Sequence, residues 1–206
     1  MKTEERRVQM NDKDWKGKPG DLFKIIGASN HSKEQRAERD YYATDPVTID
    51  ALFKREEFSD NIWEPACGEG HLSKKMKEYG KNVRESDIVD RMGNEVLDFL
   101  SGSGSWLGDI ITNPPYSKAK EFTEKALSYI PNGNKVAMFL KLTFLEGKAR
   151  RKLFDTSPPK MVYVFSERQN CAKNGDFSTY KTNSCVCYAW FVWQKGYKGE
   201  TIVKWI

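Results

Sequence analysis

The chain has 206 residues, 38% of them hydrophobic, a net charge of +5 and four cysteines. That is enough apolar material for one buried core and a short appendage, and no apolar run nears the ~18 residues of a membrane span. Cys67, Cys171, Cys185 and Cys187 include no C-x-x-C pair, and Met1 to Gly20 lacks the apolar centre of a secretory signal. A zinc knuckle or other metal centre, a disulfide framework and export are therefore not expected, whereas a reducing cytoplasm is. The charge is uneven: +2 over residues 1–40, −4 over 41–140 and +7 over 141–206. A polyanion would prefer the last third and a cationic group the middle; a solvated basic surface explains the same numbers.

Residues 1–40 are polar apart from Leu22-Phe23-Lys24-Ile25-Ile26 and read as an arm ahead of one domain over 41–206. Asp45-Pro46 starts a helix, with Asp45 at the cap and Ile49, Leu52 and Phe53 on one apolar face. A strand follows at 61–65, then the turn Ala66-Cys67-Gly68-Glu69-Gly70 and a helix at 71–79 that Gly80 ends. A second strand at 82–86 ends on Asp87, and Val96-Leu97 fits a third. Trp106 to Thr112 reads as a strand broken by Asn113-Pro114-Pro115-Tyr116. Ser117 can cap a helix running to Ile130, with Phe122, Ala126, Leu127 and Ile130 inward. Lys135 to Leu140 is an apolar strand, Lys148 to Phe154 is helical and Met161 to Phe165 is another strand. Cys185 to Gln194 and Glu200 to Ile206 read as a closing hairpin around Gly196 to Gly199, with Cys185 and Cys187 buried on one face. Strands alternating with helices predict an α/β fold: a Rossmann-like, mostly parallel sheet with helices on both faces and one antiparallel strand from the terminal hairpin.

Two constellations carry chemistry. In the first, Ile62 to Gly70 is strand, tight turn, helix. Small residues let backbone approach a ligand closely. Asp87 closes the next strand about 20 residues on, where Rossmann-like folds place an acid on ribose hydroxyls. An ordinary strand–helix turn with a surface aspartate is the bland alternative. A dinucleotide fits poorly: there is no G-x-G-x-x-G, and Glu64 would repel a pyrophosphate. A carboxylate there suits a cationic amine or sulfonium, which points to S-adenosylmethionine.

The second is Asn113-Pro114-Pro115-Tyr116, at the carboxyl end of a strand, where binding crevices open in such sheets. An aromatic amine is a poor nucleophile because its lone pair is delocalised into the ring. Two acceptors aimed at its hydrogens, the Asn113 side-chain oxygen and the Pro114 carbonyl, can draw the nitrogen toward tetrahedral geometry. The prolines stiffen the backbone, and Tyr116 offers a face to a base lifted out of a duplex. A Pro-Pro turn with a packed tyrosine is the bland reading of the motif alone.

Taken in order, Ala43-Thr44-Asp45-Pro46, Glu64-Pro65-Ala66-Cys67-Gly68, Ser86-Asp87-Ile88, Leu97-Asp98-Phe99-Leu100 and Asn113-Pro114-Pro115-Tyr116 resemble the amino-methyltransferases. The closest resemblance is to the gamma-type DNA adenine methyltransferases of the TaqI kind, including small phage-borne ones. It spans roughly residues 41–130. The resemblance implies S-adenosylmethionine as cofactor, S-adenosylhomocysteine as product and adenine in double-stranded DNA as acceptor. It implies that Thr44 holds the cofactor carboxylate with Tyr42 beside it, that Glu64, Pro65, Ala66, Cys67 and Gly68 surround the methionine end, and that Asp87 takes the ribose. Ile88 would pack on the cofactor's adenine, Asp98 would accept from its amine, and Phe99 and Phe122 would lie alongside.

Asp45 departs from a proline common in that family. No large target-recognition domain is expected, so recognition falls to loops. The first candidate is Ser166 to Ser184, a long polar insert carrying Arg168, Lys173 and Lys181. The segment Lys141 to Lys152, with Arg150 and Arg151, is another, and the arm around Lys33 to Arg39 could add phosphate contacts. An RNA methyltransferase, a protein glutamine methyltransferase and an inactive nucleic-acid-binding module are the alternatives. The cofactor turn departs from the Asp-x-Gly-x-Gly pattern of the second, and the complete motif at Asn113 is superfluous for the third.

Overall fold

The computed structural model describes residues 42–169, 171–173 and 186–206. In chain order these form β1 (Tyr42–Thr44), α1 (Val47–Phe53), β2 (Asn61–Glu64), α2 (His71–Glu78), β3 (Asn82–Asp87), β4 (Glu95–Val96) and β5 (Asp109–Thr112). They continue with α3 (Ala119–Tyr129), β6 (Lys135–Lys141), α4 (Lys148–Thr156), β7 (Met161–Val164), β8 (Cys171–Lys173), β9 (Tyr188–Gln194) and β10 (Ile202–Trp205). Eight strands make one sheet in the order β10-β7-β9-β6-β5-β2-β3-β4, and β1 pairs with β8 in a separate ribbon. All neighbours in the main sheet run parallel except β9, which is antiparallel to both β6 and β7.

The alternation of the central strands splits the core in two. Trp63, Ile110, Val136, Met138, Phe191 and Trp193 face α3 and α4. Ile62, Ile111, Ala137, Phe139, Trp190 and Val192 face α1 and α2. Because both faces are covered, every residue of β5 is buried and the middles of β6 and β9 are nearly unbroken apolar runs, as expected of strands covered on both sides.

Four expectations need correction. The last two strands exist, but they are not a hairpin. Both edges of β9 are occupied by β6 and β7, so β10 crosses over and pairs parallel with β7, from Ile202 opposite Met161 to Trp205 opposite Val164. Cys187 is exposed rather than buried, because it precedes the paired stretch of β9; the side chain of Cys185 lies outside the described residues. Ser117 caps no helix: it sits inside a 3-10 turn, Tyr116–Lys118, that leads into α3. At the start of α1 Pro46 rather than Asp45 holds the cap position, and Asp45, one residue earlier, accepts the Val47 N–H at 3.0 Å while its carbonyl accepts from the Thr48 hydroxyl at 2.7 Å.

Candidate active site

β2, β3, β5 and β6 are parallel, so Glu64, Asp87, Asn113 and Lys141 all fall at one edge of the sheet, where its carboxyl ends open. Glu64 is the last residue of β2 and is only 2% exposed. The Ser73 hydroxyl of α2 donates to its carboxylate. Burial is the main cause that pushes the Glu64 acid up to about 8; the Ser73 bond opposes this, and the neighbouring Glu85 and Asp87 charges reinforce it. At neutral pH this carboxyl is mostly protonated. The same burial, with Glu64, Asp87 and Glu85 around it, pushes the Cys67 thiol well above its ordinary value, so Cys67 is a packing residue and not a nucleophile.

The turn after β2 is pinned to the loop after β3. Asp87 accepts the Gly68 N–H at 2.9 Å and the Val89 N–H at 3.1 Å, one on each oxygen, and the Cys67 N–H reaches the Ser86 carbonyl at 3.0 Å. Gly68 and Gly70 take φ of 55° and 72°. At Gly70 a Cβ would also stand 2.5 Å from Met92 Sδ, so that side chain would have to move aside. Pro65 and Cys67 are buried, and Ala66 packs on the Trp63 cluster. Beyond the turn, Glu85 accepts from Lys77 Nζ at 2.6 Å through one oxygen, while the other is buried without a hydrogen-bond partner among the described residues.

Asn113 follows β5. Its Nδ2 donates to the Thr44 hydroxyl at 2.7 Å, and Thr44 is 3% exposed at the end of β1. Pro114 is buried and Pro115 half-buried. Pro115, at φ −57° and ψ 120°, turns the chain outward, and its carbonyl accepts the Lys118 N–H at 2.8 Å. The half-buried Tyr116 ring lies 6.0 Å from Tyr188, which in turn stacks on Phe139 at 5.1 Å. Lys141 Nζ stands 4.9 Å over the Tyr116 ring.

The remaining candidates are spread out. Ile88 is 56% exposed just past Asp87. Asp98 is exposed; a 2.5 Å bond from the Ser101 hydroxyl, with help from the Leu100 N–H, holds its carboxyl below the ordinary value. Phe99 and Phe122 are buried, 5.1 Å apart, and form the wall of the core beside Trp63 and Tyr129. Arg150 donates to the carbonyls of Thr143, Phe144 and Glu146, and so staples its own turn. Arg151 pairs with Asp155 one helical turn on, and Arg168 contacts Cys187 Sγ. Lys173 lies in β8 with its side chain outside the described residues; Lys181, residues 1–40 and the side chain of Tyr42 are outside them too. Ser73, Glu85 and Tyr188 belong to the site without having been read from the sequence. Glu85 had a usable signal, because two residues before Asp87 on a strand means the same face.

No protein-family model matches the chain, and neither does a curated protein. Solved structures do match. A class I S-adenosylmethionine-dependent methyltransferase from Listeria monocytogenes superposes with a TM-score of 0.56 at 12% identity, over 90% of this chain and 71% of that one. A protein solved in work on converting a disulfide bond into a thioacetal group during echinomycin biosynthesis gives 0.54 at 12%, over 85% and 92%. A Lactococcus lactis protein described as a hemolysin gives 0.53 at 12%, over 77% and 89%. At such identities the likeness concerns the fold, and the fold is that of the class I S-adenosylmethionine-dependent methyltransferases.

Proposed function

We propose that this chain transfers a methyl group from S-adenosylmethionine to the 6-amino group of adenine in DNA, releasing S-adenosylhomocysteine. The observation that carries the reading is the fixed amide of Asn113, bonded to Thr44 at 2.7 Å and followed by two prolines and the half-buried Tyr116. The cofactor suits its cradle. Glu64, Glu85 and Asp87 crowd around the turn after β2, and one Glu85 oxygen is a buried acceptor without a partner among the described residues. Such a set of acceptors favours a cationic amine or sulfonium, whose charge would draw the proton off Glu64, over a phosphate.

Glu64 and the Gly68 turn would hold the methionine end. Asp87, each of whose oxygens retains a lone pair beyond its backbone bond, would hold the ribose. Bound there, S-adenosylmethionine supplies an electrophilic methyl group. The acceptors are the chain's own work: Asn113 Oδ1 and the Pro114 carbonyl accept hydrogen bonds from the two amine hydrogens and localise the nitrogen lone pair, and Tyr116 stacks the base. A methylated amine is acidic enough to lose its extra proton without a strong base.

The test is incubation of labelled cofactor with separate DNA, RNA and protein pools, followed by nucleoside and amino-acid analysis. The expected product is N6-methyladenine in DNA; label only in RNA or in glutamine would replace the acceptor. Asn113→Ala should cut transfer at least a hundredfold while binding of S-adenosylhomocysteine by calorimetry stays within about twofold. Retained activity would rule out the amide mechanism.

A further inference from the structure

Lys141 ends β6 at the same sheet edge as Asn113 and is half-buried. Its ammonium stands 4.9 Å over the Tyr116 ring, and among the described residues no carboxylate or carbonyl pairs with it. Lys75, Lys77, Lys81, Lys120 and Lys135 each meet a carboxylate within 3.4 Å; Lys125, 5.4 Å over Tyr129, shares the arrangement of Lys141 but lies away from the cleft. Next to Lys141 is a cleft of about 80 Å³ whose lining includes Tyr116, Thr143, Phe144 and Arg150. The Arg150 guanidinium is committed to three carbonyls and stacks on Phe144 at 5.0 Å, so it lends the cleft positive charge without leaving it. A cation–π contact alone is a weak reward for an ammonium that has given up part of its water. The cleft thus joins an aromatic face, a hydroxyl and two cations.

We propose that this cleft receives a backbone phosphate of the nucleic-acid strand whose base stacks on Tyr116, with Lys141 as its principal contact. The proposal rests on the polynucleotide reading above and adds to it how the strand is held at the site. It explains why a cation stands against the stacking residue: a phosphate flanking the stacked base lies within a few ångströms of it in any polynucleotide. A protein amide or a free nucleoside brings no such group.

The experiment compares the wild type, Lys141→Gln and Lys141→Arg on a fluorescent duplex oligonucleotide. It measures anisotropy as salt is varied, steady-state methylation, and calorimetry of S-adenosylhomocysteine as a check on the fold. Lys141→Gln should raise the oligonucleotide Kd and KM about tenfold and lower the slope of log K against log salt by about one, with kcat within about threefold and cofactor affinity unchanged. Lys141→Arg should keep most of the wild-type affinity. Equal salt slopes for wild type and Lys141→Gln would overturn the proposal whether or not DNA is methylated. So would a fall in kcat at constant KM, which would make Lys141 a support for Tyr116 only. A wild type that binds DNA through Lys141 but methylates none would leave the phosphate cleft standing and remove the adenine reading instead.

Discussion

The bond between Asn113 and Thr44 spans 69 residues of sequence and decides how the amide faces. With Nδ2 committed to the Thr44 hydroxyl, Oδ1 is turned the other way, as an acceptor for an amine must be. Thr44→Val keeps the shape and removes that acceptor. It should cut kcat by roughly ten- to a hundredfold, since small misplacements of a reacting group are costly, with S-adenosylhomocysteine affinity nearly unchanged and Thr44→Ser restoring the rate. If Thr44 instead holds the cofactor carboxylate, calorimetry will show the loss in binding and kcat at saturation will not move. Glu64 and Asp87, which end β2 and β3, and Asn113, which follows β5, were legible as positions because small residues or prolines mark the chain beside them, and Tyr116 was legible as the residue after the two prolines. Ser73 was not legible as a site residue, because its role comes from what the fold sets against it, a helix hydroxyl under a buried acid; Glu85 left only its same-face spacing to Asp87, and its register with Glu64 is set by the pairing of β2 with β3. Phe99 shows the opposite difficulty, since a buried aromatic beside a site looks the same in sequence whether it touches a ligand or only the core.

Among the elements, the β1–β8 ribbon links two parts of the chain that the sequence presents as unrelated. The polar insert after β7 returns to pair Cys171 with Thr44, Ala172 with Ala43 and Lys173 with Tyr42. The candidate recognition segment is therefore attached, through backbone, to the residue that orients Asn113. Ala172→Pro should disrupt this pairing, because proline fixes φ and has no N–H. The expected result is a fall in kcat/KM of more than tenfold, with a melting temperature within a few degrees of wild type because the ribbon stands apart from the main sheet. An unchanged kcat/KM would show that the ribbon does not govern the site. The apolar and β-branched composition of β9 and β10 marks both as strands; their partners cannot be read the same way. Local pattern says that a segment is extended, while pairing depends on which edges the rest of the sheet leaves open.

Over the whole molecule, the acidic cluster makes stability depend on pH. The buried Glu64 acid is raised from 4.5 to about 8. Below about 4.5 both folded and unfolded states hold the proton, so the group's contribution is fully present. Between there and about 8 the unfolded chain ionises first, and stability falls as pH rises. The loss is on the order of a few kcal/mol. Glu64→Gln, which cannot ionise, should flatten the decline in denaturant midpoint between pH 5.5 and pH 8; an equal decline in both proteins would assign it to other groups. The regional charge balance is legible in the sequence, but the raised acidity of one glutamate is not, since burial to 2% is a property of the assembled sheet.

The position of β9 also sets an order in time. β7 must lie two strand spacings from β6, about 10 Å, leaving a slot that only a later part of the chain can fill. During synthesis β6 and β7 emerge first and cannot hydrogen-bond to each other. Tyr188–Gln194 then enters as a keystone, bonded along its length to β6 and over four residues to β7. The two halves of the sheet join only at that moment, so this protein is exposed to misfolding until nearly all of its described chain has been made.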